Sequence, residues 1–196
     1  MDLKMNKGAV GIGTLIIFIA MVLVAAIAAA VLINVSGILQ QKAMTTGKQA
    51  IAQVSGNLVV VGIMGNTNVG KTLVESMNIS ITAAAGAGRV DLSQLVVKVG
   101  NNNNQSTFTY SATATSATAF TIYEIRDPTG LFTATTPVID GSSLVQINTY
   151  NLTANTINLP VRTEYHIELI PEFGASTVID GITPASYSTT IQQLYP

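Results

Sequence analysis

The chain has 196 residues, a formal net charge of −1, and neither cysteine nor tryptophan. This length suits one ordinary globular domain plus an additional element. Charged residues make up only 10% of the chain, against about a quarter in typical soluble proteins. The charge balance leaves no basic surface for a nucleic-acid backbone, so we expect no nucleic-acid partner. The absence of cysteine excludes disulfides, thiolate metal sites and thiol nucleophiles.

The apolar residues are concentrated near the amino terminus. Residues 9–41 contain no Asp, Glu, Lys or Arg, and residues 15–33 form an unbroken apolar run. As a helix that rises about 1.5 Å per residue, this run could cross a hydrocarbon layer of about 30 Å. Lys4 and Lys7 precede it, which favours a cytoplasmic amino terminus.

Three interpretations fit this segment. A conventional signal peptide would be cut after the apolar run, near residues 28–30, but the run is longer than the usual apolar core of such a signal. A plain membrane anchor would keep the segment and carry an outside domain. In the third interpretation, residues 1–8 are a short basic leader that ends in glycine, and the helix follows the cut.

The third interpretation gains support from the sequence KGAVGIG, which begins at Lys7, and from the run GIGTLIIFIAMVLVAAIAAAVLIN followed by SGILQQKA. The first resembles the class III leader of type IV pilin-like proteins, and the second is similar to the amino-terminal helix of archaellins, the archaeal flagellins. Gly13 stands where bacterial-type pilins usually carry Glu, which favours an archaellin. The likeness is strongest over residues 5–55, and IELIPEFGASTVIDG near the carboxyl end is a weaker second match.

The resemblance implies how the chain matures and what it binds. A membrane aspartyl peptidase would cut between Gly8 and Ala9, with Lys7 and Gly8 as recognition positions. Gly11 matches the family's small residue after the cut, whereas Asn6 stands where a basic residue is usual. The implied partners are identical or closely related subunits in a helical filament, the leader peptidase and a membrane-embedded assembly motor. The implied location is an extracellular filament, reached after transient insertion in the cytoplasmic membrane.

Physical reasoning also predicts association through the apolar helix. Each apolar side chain favours burial over exposure by about 1.5–3 kcal/mol, so an uncharged helix of this length requires either lipid or copies of itself. Small residues at positions 25–30 allow close helix packing. Met44, Ile51 and Leu58 are seven residues apart, which predicts a coiled-coil-like seam. We therefore expect a helix over residues 9–61, as a membrane segment before assembly and as filament core afterwards.

The sequence pattern of residues 62–196 predicts an outer β domain. Alternating or β-branched runs occur at residues 76–83, 92–99, 119–125, 144–151 and 161–169. Their separators are turn sequences such as NNNN, DPTG and DGS. Short strands without helical patterns between them favour an antiparallel β-sandwich, immunoglobulin-like in type. The predicted fold class is α+β, a long helix followed by this sandwich.

Four sequons offer candidate sites for N-glycosylation, and chance in an Asn- and Thr-rich chain is the alternative explanation. They begin at Asn34, Asn78, Asn104 and Asn151. Asn34 lies in the predicted helix and is the weakest of them. Asn104 adjoins the asparagine run of a predicted loop, so we expect it to be the most exposed. Archaellins commonly carry N-glycans, which strengthens the case for Asn78, Asn104 and Asn151.

Residues 65–72, GNTNVGKT, match the phosphate-loop pattern G-x-x-x-x-G-K-[ST]. A phosphate loop also requires a following helix whose amino end meets the phosphates, and a parallel sheet with an acidic residue for magnesium. The sequence after Thr72 shows neither feature. We therefore expect a Gly/Asn loop here. The alternative is a nucleotide-binding enzyme, in which Lys71→Ala would abolish nucleotide binding.

Other catalytic signals are weak. His166 is the sole histidine of the sequence and lies in an alternating strand pattern. No His, Asp and Glu residues have the spacing of metal ligands, so we predict no cofactor, no metal and no enzyme activity. A calcium site made of loop oxygens cannot be located from sequence. The favoured function is a structural subunit of a motility filament; the alternatives are an adhesive pilin and a membrane-anchored binding domain.

Overall fold

A computed structural model describes residues 3–113 and 116–195. The chain divides into two compact units, with the boundary between Gln49 and Ala50. Within these residues the elements are one long helix, α1 (Leu3–Ser55), eleven strands and one 3₁₀ turn (Thr153–Asn155). The strands are β1 (Leu58–Thr67), β2 (Val74–Ala83), β3 (Val90–Asp91), β4 (Val96–Asn101), β5 (Gln105–Tyr110), β6 (Ala119–Arg126), β7 (Val138–Ile139), β8 (Leu144–Thr149), β9 (Glu164–Ile170), β10 (Thr177–Ile182) and β11 (Ile191–Tyr195).

Helix α1 runs for 53 residues and ends earlier than the sequence predicts. At about 1.5 Å per residue it is about 80 Å long. The predicted helix extended to residue 61, but the helix ends at Ser55 and residues 58–61 begin β1. Gly56 follows the last helical residue, and a Cβ there would lie 2.5 Å from the Phe173 carbonyl oxygen, so this position requires glycine. Leu58 is therefore a strand residue and does not continue the predicted seam of Met44 and Ile51.

Nine strands form one continuous sheet in the order β10-β9-β4-β5-β6-β8-β2-β1-β11. Neighbouring strands are antiparallel except β5 and β6, which are paired in parallel over a short stretch. Strands β3 and β7 make a separate two-stranded sheet. The predicted fold class, a long helix followed by a largely antiparallel β domain, is confirmed.

The sheet folds over so that its two halves share one core. Inward side chains of β1, β2, β6 and β8 belong to the same buried cluster as those of β4, β5, β9 and β10. We call the first four strands, with β11, the first layer and the second four the second layer. Tyr165 of β9 links the layers, since its hydroxyl donates a hydrogen bond to the Leu194 carbonyl of β11 at 2.9 Å. The largest fully buried side chains include Tyr165, Phe108, Phe120, Ile63, Met77, Ile79 and Ile81.

Most predicted strands occur close to their predicted positions, with one clear difference. The run at residues 92–99 is not a single strand, because a turn separates β3 from β4. Asp91 accepts a hydrogen bond from the Ser93 N–H at 2.8 Å, and the Leu95 N–H bonds back to the Leu92 carbonyl. Leu92 and Leu95 are both buried. Their apolarity therefore reflects a buried turn rather than a strand.

Candidate functional site

The apolar surface of α1 is the most prominent exposed feature of the chain. All large apolar side chains that the structure describes between Val10 and Met44 are exposed, from 46% at Val35 to 73% at Ile33. By length and composition, the segment Val10–Ser55 could also cross a membrane. Such a surface is far larger than the apolar patches that soluble monomers tolerate. It therefore marks a surface that contacts either lipid or protein.

Three hydroxyl groups of α1 are hydrogen-bonded within the helix and so fit an apolar environment. The Thr14 hydroxyl donates to the Gly11 carbonyl at 2.9 Å, and the Thr45 hydroxyl donates to the Gln41 carbonyl at 2.9 Å. Ser55 makes the same kind of bond to Ile51 at 2.8 Å. Each hydroxyl satisfies its donor within the helix. Burial of these groups against another apolar surface would therefore leave no unpaired hydroxyl donor.

The predicted cleavage residues lie on one continuous stretch of α1. Lys7, Gly8, Ala9 and Gly11 are all helical, and the apolar surface follows them without a break. A Cβ added at Gly8 or Gly11 would meet nothing within 4 Å. The first two positions of the predicted leader, residues 1–2, lie outside the described residues.

The four sequons occupy different environments. Asn34 is on α1 within the apolar segment. Asn78 is half-buried in the middle of β2. Asn104 is exposed, but its amide nitrogen donates to the Thr156 carbonyl at 3.1 Å. Asn151 is exposed, and its backbone is left-handed with φ 50°. Its side chain has no hydrogen-bond partner among the described residues.

The sequence that matches a phosphate loop is a β-hairpin. Its first residues belong to β1 and its last precede β2, so no helix follows Lys71. The Asn68 carboxamide oxygen accepts a hydrogen bond from the Thr72 N–H at 2.8 Å, which closes the turn. Lys71 donates to the Ser188 carbonyl at 2.7 Å. The turn therefore lacks the helix N-terminus that would bind a phosphate.

The remaining polar residues support turns and strands. His166 of β9 contacts Asp180 of β10 across the strand pair. In the part of the chain that the structure describes, no three His, Asp or Glu side chains are placed to hold a metal ion. Arrangements of this kind are common in structural strands.

Two aspartates close turns at one end of the β domain. Hydrogen bonds from the hydroxyl and N–H of Ser142 hold the pKa of Asp140 far below its usual value. The Phe132 N–H is the main cause that lowers the pKa of Asp127. The buried Ser143 hydroxyl lies 2.9 Å from Asp140 and 3.1 Å from Asp127. In both turns the carboxylate oxygens accept hydrogen bonds from backbone N–H groups that would otherwise need a backbone carbonyl as partner.

The arrangement of side chains on the outward faces of the sheet could not be predicted from the sequence. These faces depend on which strands pair and in which register. Asn78 of β2, for example, lies directly opposite Asn148 of β8. The local signal for each residue was only its outward position in an alternating strand. No pattern within either strand indicates that the two residues meet.

Comparisons with known proteins agree with the fold and with the exposed helix. The model of the archaeal-type flagellin family matches residues 8–181. Flagellin B2 of Methanocaldococcus jannaschii is 41% identical, over 96% of this chain and 94% of its own length. Flagellin B1 of Methanococcus voltae is 40% identical, over 98% of this chain and 97% of its own.

Two solved structures share the fold. The archaeal flagellum of Methanospirillum hungatei aligns with a TM-score of 0.70 and 19% identity, over 95% of this chain and 99% of that chain. A crystal structure of an archaeal flagellin from Methanocaldococcus jannaschii aligns with a TM-score of 0.62 and 22% identity, over 70% of this chain and 96% of that chain. With a family match over most of its length and relatives near 40% identity, this chain belongs to the archaeal-type flagellin family.

Proposed function

We propose that the mature chain is a structural subunit of an extracellular motility filament and that it polymerises through α1. The observation that carries this proposal is the exposed, uncharged surface over residues 10–41. Each exposed Leu, Ile, Val or Phe side chain would gain about 1.5–3 kcal/mol from burial. Contacts with identical helices bury this surface without a membrane. Contacts that do not close into a ring generate an open helical polymer.

The proposal includes a membrane stage and a cut after the leader. Before assembly, α1 would lie in the cytoplasmic membrane, which its length and composition allow. A leader peptidase would then cut between Gly8 and Ala9. The family match begins at residue 8, which supports this position. A separate membrane-embedded motor would assemble the filament, because the hairpin that matches the phosphate-loop pattern lacks the helix that follows such a loop in a nucleotide site.

We propose Asn151 as the main glycan acceptor. Its side chain is exposed and has no hydrogen-bond partner among the described residues, so its amide nitrogen is free to react. Asn104 is the second candidate, since its hydrogen bond to Thr156 must first break. Both asparagines lie outside regular strands, where a bulky glycan meets few neighbours.

Mass spectrometry of filaments sheared from cells tests the proposal. We expect a sedimenting polymer whose chains begin at Ala9, with additional glycan mass that an Asn151→Gln variant lowers. A deletion strain should lose swimming but keep surface attachment. Filaments that retain residues 1–8, or shed material that lacks α1, would contradict the proposal.

Two glycine variants make the cleavage test specific. Gly8→Val should leave the leader in place and keep the chain in the membrane fraction. Gly13→Val is the matched control, because a Cβ at either glycine meets nothing within 4 Å. The control should still be cut. Equal processing of both variants would mean that Gly8 does not define the cleavage site.

A further inference from the structure

A polar cavity of about 520 Å³ lies at one end of the second layer, beside the turn that joins β4 to β5. Its lining contains five asparagines, at positions 101–104 and 158, with two threonines, a proline, an arginine and a glutamate. A second cavity of about 570 Å³ adjoins it and shares Asn101, Asn102 and Glu164. Both volumes fall within the range of small-ligand sites, about 300–1,000 Å³. We call the two cavities together the amide groove.

Hydrogen bonds fix the frame of the amide groove. The Asn101 carboxamide oxygen accepts bonds from the N–H groups of Asn103 and Asn104 at 3.0 and 2.8 Å, which closes the turn. The Asn101 amide nitrogen donates to the Asn158 carbonyl at 2.9 Å. The Asn104 amide nitrogen donates to the Thr156 carbonyl at 3.1 Å. The turn is therefore tied to the segment that precedes β9, and the groove has its shape before a ligand arrives.

Four side chains of the amide groove have no such structural role. The side chains of Asn102, Asn103, Arg162 and Glu164 are exposed, and none has a hydrogen-bond or ion-pair partner among the described residues. Arg162 and Glu164 line the same cavity but do not pair with each other. Their donors and acceptors are therefore free to bind a ligand.

Backbone strain is concentrated at the same place. Four of the described non-glycine residues have a positive φ, and two of them, Thr156 and Arg162, line the amide groove. Their φ values are 61° and 55°. A left-handed backbone is unfavourable for both residues, above all for the β-branched threonine. Strained backbone is typical of sites that bind ligands, where the surrounding structure holds it in place.

The chemistry of the lining favours a neutral ligand that is rich in hydroxyl groups. An anion would be repelled by the Glu164 carboxylate, and the described residues place no three His, Asp or Glu side chains to hold a metal ion. An apolar ligand would leave the amides and both charged groups without partners. A carboxamide donates and accepts, a guanidinium only donates and a carboxylate only accepts. A sugar hydroxyl donates and accepts, so a saccharide can satisfy all of these groups.

Two candidate glycan acceptors lie at or near the amide groove. Asn104 is part of its lining. Asn151 is connected to it through Asn155, whose amide nitrogen donates to the Asn151 carbonyl at 3.1 Å. The Asn155 carbonyl in turn accepts a bond from the Ser106 hydroxyl of β5 at 3.2 Å. A saccharide carried by the chain would therefore begin close to the groove.

We propose that the amide groove is a carbohydrate-binding site, in which Asn102, Arg162 and Glu164 bind sugar hydroxyls. The site is separate from polymerisation through α1, because all its residues belong to the unit that begins at Ala50. The saccharide comes from one of two sources. It is either a glycan carried by the filament itself or a saccharide from outside, and the experiment below separates them.

NMR titration of the full-length chain tests the proposal. The chain is produced in a host without N-glycosylation, so that no attached glycan fills the groove. A zwitterionic detergent holds it in solution, because detergents with sugar headgroups would compete for the site. The probes are the oligosaccharide released by hydrazine from native filaments, maltotriose and chitotriose. Tetra-alanine is the comparison probe for a neutral peptide.

We expect at least one saccharide to bind and to shift the side-chain amide signals of Asn102 and Asn103. Arg162→Gln and Glu164→Gln should each weaken binding about tenfold, because hydrogen bonds to charged groups are stronger than those between neutral groups. Both variants should melt like the wild type, since the replaced side chains are exposed and have no partner among the described residues.

Two charge-matched variants serve as controls. Arg89→Gln and Glu172→Gln remove the same charges from exposed side chains that do not line the amide groove. Both should bind saccharide as tightly as the wild type. If Arg162→Gln does not fold, Asn102→Ala takes its place, because the Asn102 side chain bonds to no described residue and lines both cavities.

The outcomes separate the sources of the ligand. Binding of the released oligosaccharide alone identifies the filament's own glycan as the ligand. Comparable binding of maltotriose or chitotriose identifies a saccharide from outside, and these two probes decide if the filaments release no oligosaccharide. The proposal fails if no saccharide binds, if Arg162→Gln and Glu164→Gln bind like the controls, or if only tetra-alanine binds. Failure of the proposed function looks different, since the chain would then form no sedimenting polymer.

Discussion

At the scale of single residues, backbone crossings and turn carboxylates hold the β domain together. Gly174, in the loop between β9 and β10, has φ +113°. A Cβ on it would lie 2.4 Å from the Gly56 carbonyl oxygen. Gly56 is equally constrained by Phe173. Two chain segments therefore cross so closely that neither position accepts a side chain.

Replacement of Gly174 by alanine should destabilise the β domain strongly. The left-handed backbone alone costs an alanine about 1 kcal/mol, and the contact with Gly56 adds further strain, for a total of at least about 2 kcal/mol. Gly86→Ala is the control, because Gly86 has φ +83° but a Cβ there meets nothing within 4 Å. Urea unfolding of the detergent-held chain measures both. Equal losses would mean that the crossing contributes nothing beyond backbone conformation.

The carboxylate of Asp140 should make the stability of the domain sensitive to acid. Its pKa is lowered in the folded state, so its contribution is complete above the unfolded value of about 3.9 and is lost as the pH falls through the lower folded value. Asp140→Asn should therefore melt at a lower temperature than wild type at pH 7. The difference between the two should shrink at pH 3.

Thermal melts followed by circular dichroism at pH 7 and pH 3 measure this dependence. Glu172→Gln is the control, since it removes one negative charge from an exposed side chain between β9 and β10. A gap between Asp140→Asn and wild type that stays constant with pH would contradict the role of the carboxylate.

At the scale of elements, sequence reasoning succeeded where one face of a strand is buried and the other is polar. Strands β2 and β8 alternate in this way, and both were predicted nearly to their ends. Strand β1 was missed because its outward residues Val59 and Val61 are apolar as well. A run that is apolar on both faces has no period of two, so it was indistinguishable from the end of the helix.

The same contrast applies to the candidate sites. The exposed helix could be predicted because its apolarity is local and continuous along residues 9–41. The facing asparagines at positions 78 and 148 could not, because their contact depends on the pairing of β2 with β8, 70 residues apart. The environment of each sequon likewise depends on distant segments, as the bond from Asn104 to Thr156 shows.

The hairpin between β1 and β2 allows a direct test of its structural role. Asn68→Ala removes the acceptor for the Thr72 N–H and should cost about 1 kcal/mol. Lys71→Ala removes an exposed hydrogen bond and should cost no more than about 0.5 kcal/mol. Thermal melts measure the stability cost of both substitutions, and melts repeated with magnesium ATP test for nucleotide binding. A melting temperature that rises with ATP in wild type and not in Lys71→Ala would establish a phosphate loop instead.

At the scale of the whole molecule, the two units have opposite solubility requirements. The unit that begins at Ala50 has its own buried core, whereas the unit that ends at Gln49 exposes its apolar side chains. Assembly can therefore act on the helix while the β domain stays folded. The boundary between the units also decides where the chain can be cut without loss of the domain.

A fragment of residues 50–196 should fold and remain soluble, whereas a fragment of residues 62–196, cut at the boundary predicted from sequence, should not be stable. The shorter fragment lacks Leu58, which is 3% exposed and whose carbonyl accepts the Thr177 hydroxyl at 2.7 Å. It also loses the pairing of residues 58–60 with β2. Removal of one buried leucine costs about 2–5 kcal/mol, against a total of about 5–15 kcal/mol for a typical domain. The lost backbone pairs add to this cost. Gel filtration and urea unfolding should therefore show a folded monomer only for the longer fragment. Equal stability of the two fragments would mean that the start of β1 is dispensable.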